Sequence, residues 1–321
     1  MIPEKTKEIL KRQHYIVVGN HSATQICRWT KKSLLNDGEC YKEKFYGIKS
    51  HLCCQMSPSL ICPNKCVHCW RAIELDFGKE SNKTDSAKDI IDGCIKAQRK
   101  LLTGFKSNKK IDMKKWKQAQ EPMQFAISLS GEPMIYNKLG ELIAELRKRK
   151  KTSFLVTNGL YPEKIKELIR KKQLPTQLYI SVNTSNEDLY NKFHRSSMKN
   201  AWKKLNQSLE LMGKMKNKTR TVVRINLVKN LNMNDEMIED YAKLIMKAKP
   251  MFIEIKGYMA VGYARQRLGY ERMPWHKDIK DFSKKLLKFL KKDKYKFLDE
   301  KEESRVVLLG KSKRDMKIKK I

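Results

Sequence analysis

Cys62, Cys66 and Cys69 lie in the run Leu60-Ile-Cys-Pro-Asn-Lys-Cys-Val-His-Cys-Trp70. A Cys-x3-Cys-x2-Cys loop offers three thiolates that can close around three irons of a 4Fe-4S cluster, leaving the fourth iron without a protein ligand. Such an iron can hold a substrate or cofactor through nitrogen and oxygen and pass it one electron. The competing reading is structural zinc, which commonly uses Cys-x2-4-Cys pairs. Zinc wants four ligands in two pairs, and the nearest histidine, His68, lies inside the run and is expected to point away from its flanking cysteines. Upstream, twelve residues separate Cys27 from Cys40 and twelve separate Cys40 from Cys53. Thiolates too far apart for one loop can still converge on a second cluster with an open iron; three unrelated cysteines are the alternative. Cys54 and Cys94 are read as core residues.

Groups of this kind must be carried by a scaffold, and the pattern of the chain supplies one. Short apolar runs over 51–56, 124–129, 153–156, 177–182, 220–228 and 251–255 read as strands. Amphipathic stretches over 85–105, 138–150, 162–172, 199–215 and 235–247 read as helices, the first starting at Thr84/Asp85. The alternation implies a parallel sheet and an α/β fold, a partial (βα)6 TIM-like barrel with its functional groups at the strand C-terminal ends. A first helix within residues 1–12, a short strand over 15–18, a final helix over 278–291 and a hairpin over 295–309 flank it. Residues 21–56 show little periodicity, and the tail from Lys311 to Lys320 reads as a solvated or RNA-touching charge run. The expected organisation is an N-terminal extension with the upstream cysteines and first strand (1–58), a barrel core (59–258), and a C-terminal helix, hairpin and basic tail (259–321).

On that scaffold the second strand ends in Ser128-Leu-Ser-Gly-Glu-Pro133, so Gly131 and Glu132 would present backbone and a carboxylate to the mouth that holds the cysteine loop. An ammonium group could be held there. Thr157-Asn158-Gly159 after the third strand, and Ser181-Val-Asn183 after the fourth, bring hydroxyl and amide groups suited to a ribose or a carboxylate. Arg224 in the fifth strand either pairs with a ligand carboxylate or serves as a salt-bridge partner.

With 321 residues and 40% hydrophobic content, the chain has enough material for a barrel core. No apolar run is long enough for a membrane span and the start does not read as a signal peptide, so a cytoplasmic protein without a membrane partner is expected. Eight cysteines are too sparse and too clustered for a disulfide scaffold, and suggest metal. Lys and Arg number 70 against 35 Asp and Glu, a net charge of +35. A lysine-rich composition alone raises Lys together with Glu; a two to one excess points to a polyanionic partner, whose phosphates release counterions on contact.

Taken together, the Cys62 triad and the Ser-Gly-Glu-Pro run resemble the radical SAM superfamily. With Gln25-Ile-Cys27-Arg-Trp-Thr-Lys-Lys-Ser33, Gly38-Glu-Cys40-Tyr-Lys42, Phe45-Tyr-Gly47, Cys54-Gln-Met-Ser57 and the run from Cys62 to Arg71, the chain is similar over essentially its whole length to the archaeal 4-demethylwyosine synthases of wyosine biosynthesis. The resemblance implies two 4Fe-4S clusters, on Cys62, Cys66 and Cys69 and on Cys27, Cys40 and Cys53. It also implies S-adenosyl-L-methionine (SAM) held by Gly131, Glu132, Thr157, Asn158, Ser181, Asn183 and Arg224. The implied substrates are pyruvate and tRNA-Phe carrying N1-methylguanosine at position 37. A hydrogen is abstracted from the N1-methyl group, two pyruvate carbons enter the new ring, and the carboxyl carbon is lost. The target base must leave its stack, which an anticodon loop permits. Eukaryotic relatives carry a flavodoxin-like domain that this chain lacks, so an external one-electron donor of flavodoxin or ferredoxin type is expected.

Lys42, two residues after Cys40, is the expected Schiff-base lysine for pyruvate, with Lys44 and Lys31 behind it. Where the family tends to have Arg followed by Pro, Ser196 follows Arg195, which leaves the substrate role of that loop open. Trp29, Trp70 and Trp202 are read as packing or cofactor wall ahead of RNA stacking. The alternatives are another radical SAM RNA-modifying enzyme with two clusters, and a non-catalytic, zinc-stabilised RNA-binding protein.

Overall fold

Ten strands form one sheet in the computed structural model, which describes residues 2–78, 84–215 and 217–319. They are β1 (Ile16–Val18), β2 (Ser22–Gln25), β3 (Cys53–Ser57), β4 (Gln124–Ile127), β5 (Thr152–Thr157), β6 (Gln177–Ser181), β7 (Arg220–Leu227), β8 (Phe252–Gly257), β9 (Lys296–Lys301) and β10 (Val306–Gly310). The order is β1-β2-β3-β4-β5-β6-β7-β8-β10-β9. Strands β3 to β8 are parallel neighbours in chain order, the six expected strands of the partial barrel. An antiparallel hairpin extends the sheet at each edge, β1-β2 against β3 and β9-β10 against β8.

Side chains alternate across the strands and so divide the barrel into two layers. Leu155, Leu178, Ile180, Val223 and Ile253 pack outward in one core with the covering helices, among them Ala87–Thr103, Leu139–Lys148, Pro162–Arg170, Ala201–Gly213 and Ile238–Ala248. Phe154, Tyr179, Val222 and Phe252 point inward and pack with Tyr41, Phe45 and Tyr46. Cys54 and Cys94 lie in the outer core, as expected.

Three local expectations are corrected. Residues 21–56 are not irregular: besides β2 and the start of β3 they form the helices Arg28–Leu34 and Tyr41–Tyr46. At seven and six residues these are too short for a 3.6-residue period to show. The long first outer helix starts at Ala87, capped by the Ser86 hydroxyl accepting from the Asp89 N–H, not at Thr84/Asp85. The basic tail is folded back onto the barrel. Met316 is buried, the Ile318 N–H donates to the Tyr46 carbonyl at 3.0 Å, and Arg220 donates to the carbonyls of Asp315 and Met316 at 2.6 and 2.8 Å. Lys320 lies outside the described residues. Among them, no helix is long and apolar enough to cross a membrane.

Candidate active site

The Cys62–Cys69 loop leaves the C-terminal end of β3 and is clamped on three sides. From the helix Glu187–His194, the carbonyls of His194 and Phe193 accept from the N–H groups of Lys65 and Val67 at 2.9 and 3.0 Å, and the Ser197 N–H donates to the Pro63 carbonyl at 2.9 Å. Ser196 bridges to Asn64. The loop whose substrate role was open is therefore a brace for the cysteines. From the far side, Arg267 donates to the carbonyls of Val67, Cys69 and Arg71, and the Tyr263 N–H donates to the Trp70 carbonyl. His68 is turned onto the Phe193 ring, with Asn183 Nδ2 at 3.5 Å from its Nε2. His194 Nδ1 lies 3.0 Å from Cys66 Sγ; burial pushes this imidazole down to about 3, so it stays neutral and can donate to a thiolate.

The third side is the Gly-Glu turn. Gly131 has φ +71°, and a Cβ there would stand 2.2 Å from the Ser59 carbonyl oxygen and 2.7 Å from Leu60 Cα. Only glycine lets the end of β4 approach the cysteine loop this closely. The Glu132 N–H then donates to the Ile61 carbonyl at 2.7 Å. The buried Glu132 carboxylate accepts from Thr157 Oγ1 at 2.7 Å and from the backbone N–H groups of Asn158 and Met134 at 2.8 and 3.1 Å. Burial raises its pKa to about 7 against those three donors. A carboxylate offers about four acceptor positions, so one is left for an ammonium. Asn158 Nδ2 reaches toward Cys62 Sγ at 3.9 Å. Gly131, Glu132, Thr157 and Asn158 are thus brought together beside the cysteines. Asn183 joins them through His68, and Ser181 pairs with Arg224 in the β6–β7 register.

Arg224 stands elsewhere. Its guanidinium pairs with the fully buried Glu254 at 2.9 Å, donates to the Tyr41 hydroxyl at 2.9 Å and lies 4.4 Å from the centre of the Tyr179 ring. The same Glu254 accepts from the hydroxyls of Tyr41 and Tyr46 at 3.0 and 2.7 Å. Arg224 therefore belongs to the barrel lumen, with its charge already paired, and not to the Gly-Glu turn.

The upstream cysteines gather at the other end of β3. Cys27 and Cys40 are the N-cap residues of the two short helices and Cys53 is the first residue of β3. Burial, then the neighbouring Cys27, pushes the Cys40 thiol up to about 11, and Cys53 is raised by burial, Cys27 and Cys40. Cys66 is raised in the same way by burial, Cys62 and Cys69. Thiols that hold one another protonated are relieved by a cation placed among them. Among the described residues, no three His, Cys, Asp or Glu side chains close tightly enough to share a single ion. Three cysteine thiols at each place are the type of donor that an iron-sulfur cluster with one open iron takes, so the residues present fit such a group by their chemistry.

Lys42 projects from the helix Tyr41–Tyr46 into the lumen. It is buried, and while its backbone N–H donates to Cys40 Sγ at 3.5 Å, its Nζ, 4.9 and 5.1 Å from the centres of the Phe154 and Tyr179 rings, has no hydrogen-bond or ion-pair partner among the described residues. Burial, then Arg224, lowers its pKa, while Glu254 acts in the opposite direction. Lys44 is turned outward, donating to the Glu300 carbonyl and pairing with Asp299, and Lys31 lies near Phe105. Trp70 stacks on Tyr15, Trp202 packs tilted at 55° against Tyr190, and Trp29 has Lys32 and Lys301 beside it. Sequence reasoning missed Glu254 and Lys256. Lys256 Nζ lies 4.4 Å from the Tyr41 ring centre, and burial and then Arg224 push it down to about 8. The alternation of Phe252, Glu254 and Lys256 in β8 was the available signal. His194 and Arg267 carried no such signal, because each acts through a loop contact distant in the chain.

Residues 56–245 match the family model of the radical SAM superfamily, and residues 247–311 match that for wyosine base formation. The SAM-dependent tRNA 4-demethylwyosine synthase of Pyrococcus abyssi is 47% identical over 310 residues, which cover 96% of this chain and 89% of that one. A solved structure of TYW1 with a lysine-pyruvate adduct bound is 35% identical and superposes with a TM-score of 0.85, covering 99% of this chain and 98% of its own. A crystal structure of archaeal TYW1 is 32% identical with a TM-score of 0.75, covering 97% of each chain. By sequence, fold and the braced cysteine loop alike, the chain belongs to the SAM-dependent tRNA 4-demethylwyosine synthase family of radical SAM enzymes.

Proposed function

We propose that the chain condenses pyruvate with N1-methylguanosine at position 37 of tRNA-Phe to form 4-demethylwyosine, with SAM and one 4Fe-4S cluster at the Cys62 triad and a second cluster at the Cys27, Cys40 and Cys53 triad. When bound, these groups supply the one-electron chemistry. The chain's own residues position it. Glu132 and the Gly131 turn hold the methionyl end of SAM, with Thr157, Asn158 and Asn183 around it and Ser181 on the lumen side, beside Arg224. Lys42 attacks the keto carbon of pyruvate as the neutral amine, and loss of water leaves an imine that fixes pyruvate beside the upstream cysteines. Phe154 and Tyr179 keep water from that imine, and Glu254 holds Arg224 in place behind it. The lumen between the two triads receives the flipped base, and an external one-electron donor of flavodoxin or ferredoxin type reduces the clusters.

The observation that carries this reading is the unpartnered Lys42 amine between two aromatic rings, two residues from Cys40. It is supported by the lysine-pyruvate adduct of the TYW1 structure above. The test is to incubate the reconstituted protein with pyruvate, reduce with borohydride and map the adduct by peptide mass. The label is expected on Lys42 and is expected to vanish in Lys42→Ala with iron content intact. An adduct confined to Lys256 or Lys44 refutes the assignment.

A further inference from the structure

The segment that braces the cysteine loop from the C-terminal side also presents two large aromatic side chains to solvent. Tyr270 is 60% exposed and Trp275 65%, although both lie in the 258–275 connection that ties Arg267 and Tyr263 to the cysteine loop. This connection leaves the C-terminal end of β8, the same end of the barrel as the Cys62 triad. Trp275 is the N-cap residue of the helix His276–Leu290, and its backbone N–H donates to Asp278 Oδ2 at 2.7 Å, which fixes the main chain from which the indole projects. The Arg305 guanidinium lies 4.6 Å from the centre of its ring, anchored by a 2.6 Å bond to the Pro274 carbonyl. Arg265 reaches the Tyr270 hydroxyl at 3.3 Å, the Lys229 backbone N–H donates to the Arg272 carbonyl at 2.9 Å, and the Lys229 ammonium lies 3.9 Å from Asp278 Oδ2. Residues 258–278 contain Arg265, Arg267, Arg272 and Lys277 against Glu271 and Asp278, with Arg267 paired to Glu74 at 3.0 Å, so Arg265, Arg272 and Lys277 supply the charge beside the two rings.

Exposed aromatic faces interleaved with Arg and Lys make a surface suited to unpaired nucleobases, because every base has a face to stack and the phosphates meet the cations. A protein partner of ordinary composition would not call for that charge. We propose that Tyr270 and Trp275, with Arg265, Arg272, Arg305 and Lys229, form a stacking platform for anticodon-loop bases adjoining the target nucleotide. The proposal rests on the tRNA reading above and assigns it a surface. The platform holds the loop strand while the target base enters the lumen. It sits on the element that fixes the cysteines, so RNA and cluster loop are registered by one segment.

The test uses the full chain with both clusters rebuilt and an anticodon stem-loop RNA carrying N1-methylguanosine. Affinity is measured by fluorescence anisotropy at several salt concentrations. Trp275→Ala is expected to weaken binding about 5- to 150-fold, the loss of one base-aromatic stack. Its salt slope should match that of the unsubstituted protein, since the indole carries no charge, and Trp275→Phe should retain most of the affinity. Tyr270→Ala, at an exposed position, repeats the test independently. Formation of 5′-deoxyadenosine in the absence of RNA should be unchanged in all three. Unchanged RNA affinity in both alanine variants overturns the platform while leaving the tRNA reading intact; if their oligomeric state shifts instead, the patch is a protein interface. Failure of the unsubstituted protein to bind the RNA removes the tRNA reading itself.

Discussion

Replacing Glu254 with Gln isolates the electrostatics of the lumen. The carboxylate is fully buried and serves Arg224, Tyr41 and Tyr46 together. Glutamine keeps the shape and one acceptor, but turns an amide N–H toward a guanidinium and leaves a buried cation unpaired. Breaking a buried pair from one side costs about 3–5 kcal/mol, a large part of the roughly 5–15 kcal/mol that holds a domain folded. Urea unfolding of the metal-free protein, followed by far-ultraviolet circular dichroism, should show that loss as a lower midpoint with unchanged slope. Adding Arg224→Met should recover part of it, because the stranded charge is then gone. The substitution also removes the negative neighbour that raises the Lys42 pKa, so borohydride trapping of pyruvate should extend to lower pH. A stability change under about 1 kcal/mol, within the range of an ordinary surface substitution, would refute the view that this pair organises the lumen.

Ala at Cys62, Cys66 or Cys69 should abolish 5′-deoxyadenosine formation, whereas Ala at Cys27, Cys40 or Cys53 should remove about half the iron and all tRNA product while SAM cleavage persists; both are read by iron analysis and chromatography. The Glu132 carboxyl, raised to about 7, keeps in the folded state a proton that the unfolded chain has lost. Its contribution therefore lowers stability as pH rises from about 4.5 to 7, by about 3 kcal/mol in all, and Glu132→Gln should flatten that part of the urea midpoint against pH. His194→Phe removes the donor 3.0 Å from Cys66 Sγ and should lower the midpoint potential of the cluster on that triad, measured by redox titration with electron paramagnetic resonance. An unchanged potential would make His194 a packing residue.

The barrel was legible because each parallel strand carries alternating or continuous apolar residues bounded by amphipathic helices, a signal contained within ten or so neighbouring residues. The Cys62–Cys69 loop and the Gly-Glu turn stood out in the sequence because each is a run of a few neighbouring residues, and the structure brings the two together at one end of the barrel. What escaped depends on contacts across the chain. Arg224 read either as a partner for a ligand carboxylate or as a salt-bridge residue, and its pair, Glu254, lies thirty residues later in the chain. Cys27 and Cys40 turn out to cap helices too short to announce themselves. The tail read as solvated because of its charge, yet Met316 and the backbone bonds from Ile318 and to Arg220 hold it against the barrel. Charge patterning shows which side chains seek solvent; it does not show which backbone groups find partners.

Turnover with labelled pyruvate tests whether the chain builds the tricyclic base from pyruvate carbons. Reconstituted protein, SAM, a one-electron reductant and tRNA-Phe carrying N1-methylguanosine are supplied with pyruvate labelled either at its carboxyl carbon or at its other two carbons, and the digested nucleosides are weighed by mass spectrometry. Label from the keto and methyl carbons should appear in a tricyclic nucleoside formed only with Lys42 present, and carboxyl label should not. SAM cleavage without any pyruvate carbon entering the tRNA would contradict the account.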